Sequence, residues 1–368
     1  MIYPENNLTK LNMQLEIETY EDFYKFQNLL NAWRSLKKNS RSYGVDKQTI
    51  GEFKTVHSEE IKKLSEELKN GTFKFSASRG VAIPKNGQKN CIDKRRPLAI
   101  NTIRDRVVLK ALAMFIGSKY IGKLNTNRDV SFAYQKGKSI WNAISKIKEH
   151  YNNGYCWVVE SDIKDFFGSI NRKKVELIFD KKLSKEFVTL IVDSLKQEIN
   201  LDNVHENHLD IFKQKNKDNP SGVPQGNPIS PIVSNLYLQP FDNAIKSKDY
   251  KLVRYADDFI ILCKTEEDAK SAFELAKEKL AKLNLELYSL DDRKKSSKIV
   301  QLSADNPIIF LSVGFDGTNT YPSQKAIDKL KIKLEAYFEN KELSVLDLLN
   351  KVNNTLKGWF GAYKSASC

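Results

Sequence analysis

Tyr255-Ala256-Asp257-Asp258 stands between two apolar, β-rich runs, Lys251-Leu252-Val253-Arg254 and Phe259-Ile260-Ile261-Leu262. The pattern predicts a hairpin whose tight turn carries two adjacent carboxylates at a strand end. Successive strand residues face opposite sides of a sheet, so a turn is one of few ways to bring neighbouring acids to one cation. Mg²⁺ takes hard oxygen ligands and keeps coordination positions for substrate phosphates, which suits such a turn. Asp is also ordinary turn chemistry, so these four residues alone leave a plain polar hairpin open.

Upstream, Tyr155 to Ile163 reads as a buried strand through Cys156-Trp157-Val158-Val159, ending in Ser161-Asp162. A strand-terminal acid far from the pair is the third carboxylate of a two-metal site, whose ions lie about 4 Å apart. Ser161-Asp162 serves equally as a helix N-cap ahead of Ile163-Lys164-Asp165-Phe166-Phe167, and residue type does not decide between the roles. Between the acids lies Ser221-Gly222-Val223-Pro224-Gln225-Gly226-Asn227-Pro228-Ile229-Ser230-Pro231. Its prolines and glycines make a rigid segment, poor in side chains, where backbone can approach a ligand closely; an ordinary loop is the alternative.

The chain has 368 residues, 40% hydrophobic, with 60 Lys+Arg against 46 Asp+Glu and a formal charge of +14. That length allows one large domain or two to three small ones, and the charge favours a polyanionic partner, nucleic acid before membrane. No apolar run reaches the ~18 residues of a membrane span. Met1 to Asn7 lacks the form of a signal peptide. Cys91, Cys156, Cys263 and Cys368 form no CxxC pair, so neither zinc nor a disulfide framework is expected, and the default compartment is the reducing cytoplasm. His205 and His208 lie close in a polar stretch without a carboxylate or thiol at ligand spacing.

Helical spacing marks residues 20–36 (Phe23, Phe26, Leu29, Leu30, Trp33) and a second helix through Ile61, Leu64 and Leu68, stopped at Asn70-Gly71. Arg79 to Arg96 reads as a basic loop, Arg104 to Ile116 as an apolar helix, and 200–220 as a solvated loop. Thr265 caps a helix bearing Ala269, Ala272, Phe273, Ala276, Leu280 and Leu283. Strands are expected around Glu286–Leu290 and Ile308–Val313, then helices near 323–339 and 344–360. Mixed elements without a repeat predict one α+β body with a small helical C-terminal domain.

The segments SDIKDFFGSIN (161–171), VPQGNPISP (223–231) and YADD (255–258) together resemble the palm motifs of reverse transcriptases. The likeness extends in order along the chain. Ile83-Pro84-Lys85, Arg96-Pro97-Leu98-Ala99-Ile100 and Asp105-Arg106-Val107 resemble fingers motifs of group II intron-type enzymes. Ser131-Phe132-Ala133-Tyr134 with Gly137-Lys138-Ser139, Phe310 to Phe315, and Leu356-Lys357-Gly358-Trp359 are similar to later motifs, the last at the start of a thumb helix.

The resemblance implies a right-hand polymerase of α+β class. It assigns an N-terminal extension and fingers, with the start of the palm, to 1–155. A palm with an antiparallel sheet, part of the fingers inserted, takes 156–315, and a small helical thumb 316–368. It makes Asp162, Asp257 and Asp258 catalytic and, with Ile163, ligands of two Mg²⁺ ions, for which Mn²⁺ can substitute. It puts Lys85, Arg96, Phe167, Gln225 and Lys295 (or Lys294) at the dNTP, and Gly226, Tyr255 and Trp359 at nucleic acid. Phe167 falls where an aromatic gate excludes a ribose 2′-hydroxyl; a core aromatic is the alternative, with Phe166 beside it. Arg293 to Lys298 also reads as a solvated cluster. Trp359 and Tyr363 also read as packing between helices.

The implied activity is RNA-directed DNA polymerisation, with an RNA template, dNTPs and a cDNA product, no membrane, and a protein partner or homo-oligomer left open. No segment after the thumb-like helices resembles maturase or endonuclease domains. Residues 225–231 do not match diversity-generating enzymes. Asn142-Ala143 is a partial echo of a retron motif, whose thumb signature is missing. What is left is similar to free-standing bacterial enzymes of antiviral defence and abortive infection, whose template is a dedicated non-coding RNA. The alternatives are a template-independent or protein-primed DNA polymerase, a retron-type enzyme, and an RNA-binding scaffold without synthesis.

Overall fold

The computed structural model describes residues 19–36, 42–84, 95–117, 127–180, 183–196, 198–213, 221–290 and 296–367. Lys85, Lys294 and Lys295 lie outside them. Strands are numbered in chain order: β1 (Ser78–Pro84), β2 (Arg95–Ile100), β3 (Trp157–Asp162), β4 (Ile199–Asn200), β5 (Lys251–Tyr255), β6 (Asp258–Cys263), β7 (Lys298–Gln301), β8 (Ile308–Phe310), β9 (Val313–Phe315) and β10 (Thr320–Pro322).

The runs flanking Asp257-Asp258 are β5 and β6, paired antiparallel as the pattern predicts, and they form half of a sheet ordered β5-β6-β3-β7. Both faces of this sheet are covered, which explains why Phe259 to Leu262 is apolar without alternation. Phe259, Ile261 and Cys263 join a large core with the Glu266–Ala281 helix residues Ala269, Ala272 and Ala276. Ile260, Leu262, Val158 and Val253 face a second core with Ile144, Ile147, Phe310 and Phe315. Each large apolar side chain so buried stabilises the fold by roughly 1.5–3 kcal/mol. The mixed helix-and-strand architecture is that of a right-hand polymerase, with an antiparallel palm sheet at its centre.

Several elements depart from the sequence expectation. Arg79 to Arg96 is not simply a basic loop: its two ends belong to β1 and β2, which pair antiparallel, with Ile83 opposite Arg96. Glu286–Leu290 is not a strand and holds one bridge, Leu287 to Ile163, because Lys298–Gln301 takes the place beside β3. Ile308–Val313 is a hairpin, since Leu311 and Ser312 sit at φ 54° and 68°, turning the chain between β8 and β9. Positive φ at both central residues is the pattern of a type I′ turn.

Residues 20–36 form two helices, Tyr20–Tyr24 and Phe26–Arg34, broken at Lys25 (ψ 134°), and 200–213 is not simply a loop but carries the short helices Glu206–His208 and Asp210–Lys213 with Phe212 buried. The other expected helices fall where their periodicity puts them, including Ile50–Lys69, Ile103–Phe115, Gln324–Phe338 and Val345–Tyr363. The last two bury none of their residues, and Val345, Leu346 and Leu349 are exposed. Among the described residues no helix is long and apolar enough to cross a membrane.

Candidate active site

Asp162 is the last residue of β3 and stands directly opposite Asp258 of β6. Asp258 is also opposite Tyr255 of β5, so the two-residue turn Ala256-Asp257 lies at the same end of the sheet. Residues opposite one another in an antiparallel ladder have Cβ atoms about 4.5–5.5 Å apart. The register therefore brings Asp162, Asp257 and Asp258 to one edge. The N-cap alternative for Asp162 does not hold: Asp165, at φ 37°, occupies the cap position of the short Phe166–Ser169 helix. Ile163 follows, 2% exposed, and its apolar side chain has no donor atom, so only its carbonyl could ligate an ion beside Asp162.

Three carboxylates and a main-chain carbonyl are a hard-oxygen donor set that fits Mg²⁺. Among the described residues no three His, Cys, Asp or Glu side chains are already gathered as a coordinating cluster. The backbone supplies the proximity, and side-chain rotation would close the set. His205 and His208, with ring centroids 5.8 Å apart, form no such group either.

The Pro/Gly segment is tied to the chain that follows Asp162. Val223 N–H donates to Phe167 O and Gly222 N–H to Ile170 O, each at 2.8 Å. Arg172 Nη1 donates to the carbonyls of Ser221 (3.0 Å) and Gly222 (2.9 Å). Ser230 Oγ closes the loop internally onto Pro224 O at 2.8 Å. Phe166 is the core aromatic, 2% exposed, whereas Phe167 is half-buried beside it, edge to face at 5.5 Å.

The same loop docks the β1–β2 hairpin. Ala99 N–H donates to Gln225 O at 2.9 Å. Gly226 follows at φ 106°, where a Cβ would stand 2.8 Å from Ala99 O. Only glycine adopts that conformation freely and lets the two backbones meet so closely. Arg96, exposed and three residues from Ala99 on β2, is carried with the docked strand.

Two further groups at the turn carry no role in the sequence reading. Tyr134, half exposed at φ 59°, is a bulky residue in the left-handed region, a strained conformation that clusters at functional sites. Burial raises its phenol pKa, the nearby Asp257 carboxylate raises it further, and Arg96 opposes both. Tyr134 is therefore near enough to both Asp257 and Arg96 to feel their charges.

The second is Arg254, with its side chain fully buried. Its Nε and Nη2 donate to the two oxygens of Asp242, also fully buried, at 2.8 and 2.7 Å. Nη1 donates to Asn235 Oδ1 at 3.1 Å and to the carbonyl of Ala256, inside the turn, at 3.0 Å. Burial raises the Asp242 carboxyl pKa and the Arg254 guanidinium pulls it back; the fork-to-fork geometry is that of an ion pair. One signal was available: Arg254 is a charge on a strand whose neighbours must be buried on both faces.

Trp359 lies apart, on the Val345–Tyr363 helix. Its ring packs on Tyr363 (4.9 Å) and Phe360 (5.5 Å), with the indole N–H buried and without a hydrogen-bond partner. That geometry favours packing over base contact, and the exposed neighbour is Phe360, at 63%.

Known proteins show the same likeness. Protein YkfC of Escherichia coli is 26% identical over 220 residues, 57% of this chain and 52% of that protein. The group II intron-encoded protein LtrA of Lactococcus lactis is 26% identical over 240 residues, covering 65% and 35%. The chain thus spans about half or less of the length of these relatives. A solved partial Cas6-RT-Cas1–Cas2 complex aligns over 72% of this chain and 43% of that chain, at 22% identity and a TM-score of 0.37. The family model described as reverse transcriptase (RNA-dependent DNA polymerase) matches residues 83–314, from β1 through the acidic turn to β9, and the chain belongs to that family.

Proposed function

We propose that this chain is an RNA-directed DNA polymerase that extends a primer 3′-hydroxyl by two-metal nucleotidyl transfer from dNTPs. The observation that carries it is the Asp162–Asp258 register with Asp257 in the adjoining turn, in a chain of this family. Asp162, Asp257, Asp258 and the main chain of Ile163 would hold two Mg²⁺, or Mn²⁺ in their place. The ions supply activation of the 3′-oxygen and charge neutralisation on the pyrophosphate. The bond from the 3′-oxygen to the α-phosphorus forms as that from the α-phosphorus to pyrophosphate breaks. Arg96, with Lys85 and Lys295, binds triphosphate oxygens, which suit a planar guanidinium and point charges. Phe167 blocks a ribose 2′-hydroxyl; Gln225 and Gly226 lie under the nascent pair, and Tyr255 contacts nucleic acid.

The formal charge of +14 fits grip on a template–primer backbone. The division into fingers (1–155), palm (156–315) and thumb (316–368) accompanies this reading, and β10 pairs with β9, stitching the start of the thumb segment to the palm. In the thumb, Trp359 lies toward nucleic acid on a helix that presents the exposed ring of Phe360 beside it. A dedicated non-coding RNA template and a role in defence rest on the resemblance to free-standing bacterial enzymes alone. Incubating the purified protein and its co-purifying RNA with labelled dNTPs and Mg²⁺ tests the reading. RNase-sensitive product supports it, no product refutes it, and product insensitive to prior RNase treatment makes the enzyme template-independent.

A further inference from the structure

We propose that Arg254, held by Asp242, is a positioning residue that sets the main chain of the Asp257-Asp258 turn for nucleotidyl transfer. This rests on the polymerase reading of that turn. Arg254 uses two nitrogens on Asp242 and the third on the Ala256 carbonyl and Asn235, so one rigid guanidinium links the Gln239–Lys246 helix to the inside of the turn. Ala256, 6% exposed and at φ 61°, is the residue whose backbone the turn strains. A charge-assisted bond to its carbonyl fixes the direction in which the next peptide, that of Asp257, leaves the strand.

The anchor is itself cross-braced. Asn235 accepts from Ser131 Oγ (3.2 Å) and donates to Ala133 O (3.0 Å). The main chain of Arg254 bonds Val130 O (2.8 Å) and Phe132 N–H (2.9 Å). The brace therefore joins three segments: the 130–134 stretch leading to Tyr134, the Ser230–Tyr237 helix and β5. The bond into the turn is that of Arg254 Nη1 to the Ala256 carbonyl, and a neutral filler could supply the bulk of Arg254 but not a donor aimed there. A buried ion pair can often be replaced by apolar residues without loss of stability, so its stability and its aim are separable by mutation.

The test uses the full chain with a defined RNA template and DNA primer. Three variants are compared: Arg254→Lys, Asp242→Asn, and the double variant Arg254→Met with Asp242→Leu, which removes both charges together. The double variant is expected to unfold in urea like the wild type and bind primer–template within twofold. Its kcat should fall at least tenfold, and the Mg²⁺ concentration for half-maximal rate should rise severalfold. Arg254→Lys keeps the charge without the fork and should show the same split, with dNTP KM changed less than kcat. Wild-type kcat and Mg²⁺ dependence in folded Arg254→Lys or double variant would overturn the proposal. So would loss of primer–template binding in step with kcat, which is the mark of a merely structural pair. Wild-type protein that makes no DNA would instead overturn the polymerase reading itself, so the two failures are distinguishable.

Discussion

Gly226→Ala separates the contact that docks the hairpin from the chemistry at the acids. Two costs add at this position. An alanine at φ 106° lies outside the left-handed well, which costs roughly 1–3 kcal/mol. Its Cβ would also meet Ala99 O at 2.8 Å, and both groups are backbone, so neither can swing away. Relief means opening the adjoining Ala99 N–H to Gln225 O bond, worth about 1 kcal/mol. The sum is ~2–4 kcal/mol of lost stability, read from urea unfolding. β2 carries Arg96, so any part of that displacement reaching the triphosphate raises dNTP KM; about 1.4 kcal/mol of it is tenfold in kcat/KM. Gly71→Ala is the control: φ is 68° and nothing lies within 4 Å of the added carbon, so it costs ~1 kcal/mol and leaves KM alone. Stability within about 0.5 kcal/mol of wild type, with unchanged KM, would refute the reasoning.

Three other perturbations reach different parts of the molecule. Asp257→Asn removes a proposed metal ligand without adding bulk and should abolish synthesis in primer extension while RNA affinity, measured by filter binding, stays within a few-fold. Equal loss of both would mean the carboxylate holds RNA. Phe167→Ala should raise rNTP incorporation relative to dNTP in competition assays, and an unchanged ratio removes the ring from the gate. Asp105, 1% exposed, has its carboxyl pushed up to about 6 by burial, against the opposing effects of Thr102, Ser76 N–H and Arg104. Its folded pKa lies above the unfolded ~3.9, so the native state holds the proton more tightly and loses stability as pH rises from about 4 to 6, by at most ~3 kcal/mol, then no further. Asp105→Asn should flatten that slope in urea unfolding at pH 4.5, 5.5 and 7; an unaltered slope places its origin elsewhere.

The acidic turn and Asp162 were legible in the sequence because each carboxylate ends an apolar run, and a strand end leaves few places for a side chain to go. What their pairing required, Asp162 opposite Asp258, is a register between segments nearly a hundred residues apart, and only the motif likeness pointed to it. Local chemistry misled where tertiary contacts overrule it. Leu311-Ser312 has none of the Asn-Gly character of a type I′ turn, so its hairpin is imposed by packing of Phe310, Val313 and Phe315 into the second core. Lys298–Gln301 shows no burial alternation, and it is a strand because β3 offers an open edge. By pattern Arg254 is one more strand residue, although a strand covered on both faces has no water for a guanidinium. A charge there must be matched inside the protein, and the sequence contains the match at Asp242, on a helix whose other buried residues are Phe241 and Ile245. A charge on such a strand therefore signals a buried partner, and the nearest helix acid with apolar neighbours is where to look for it.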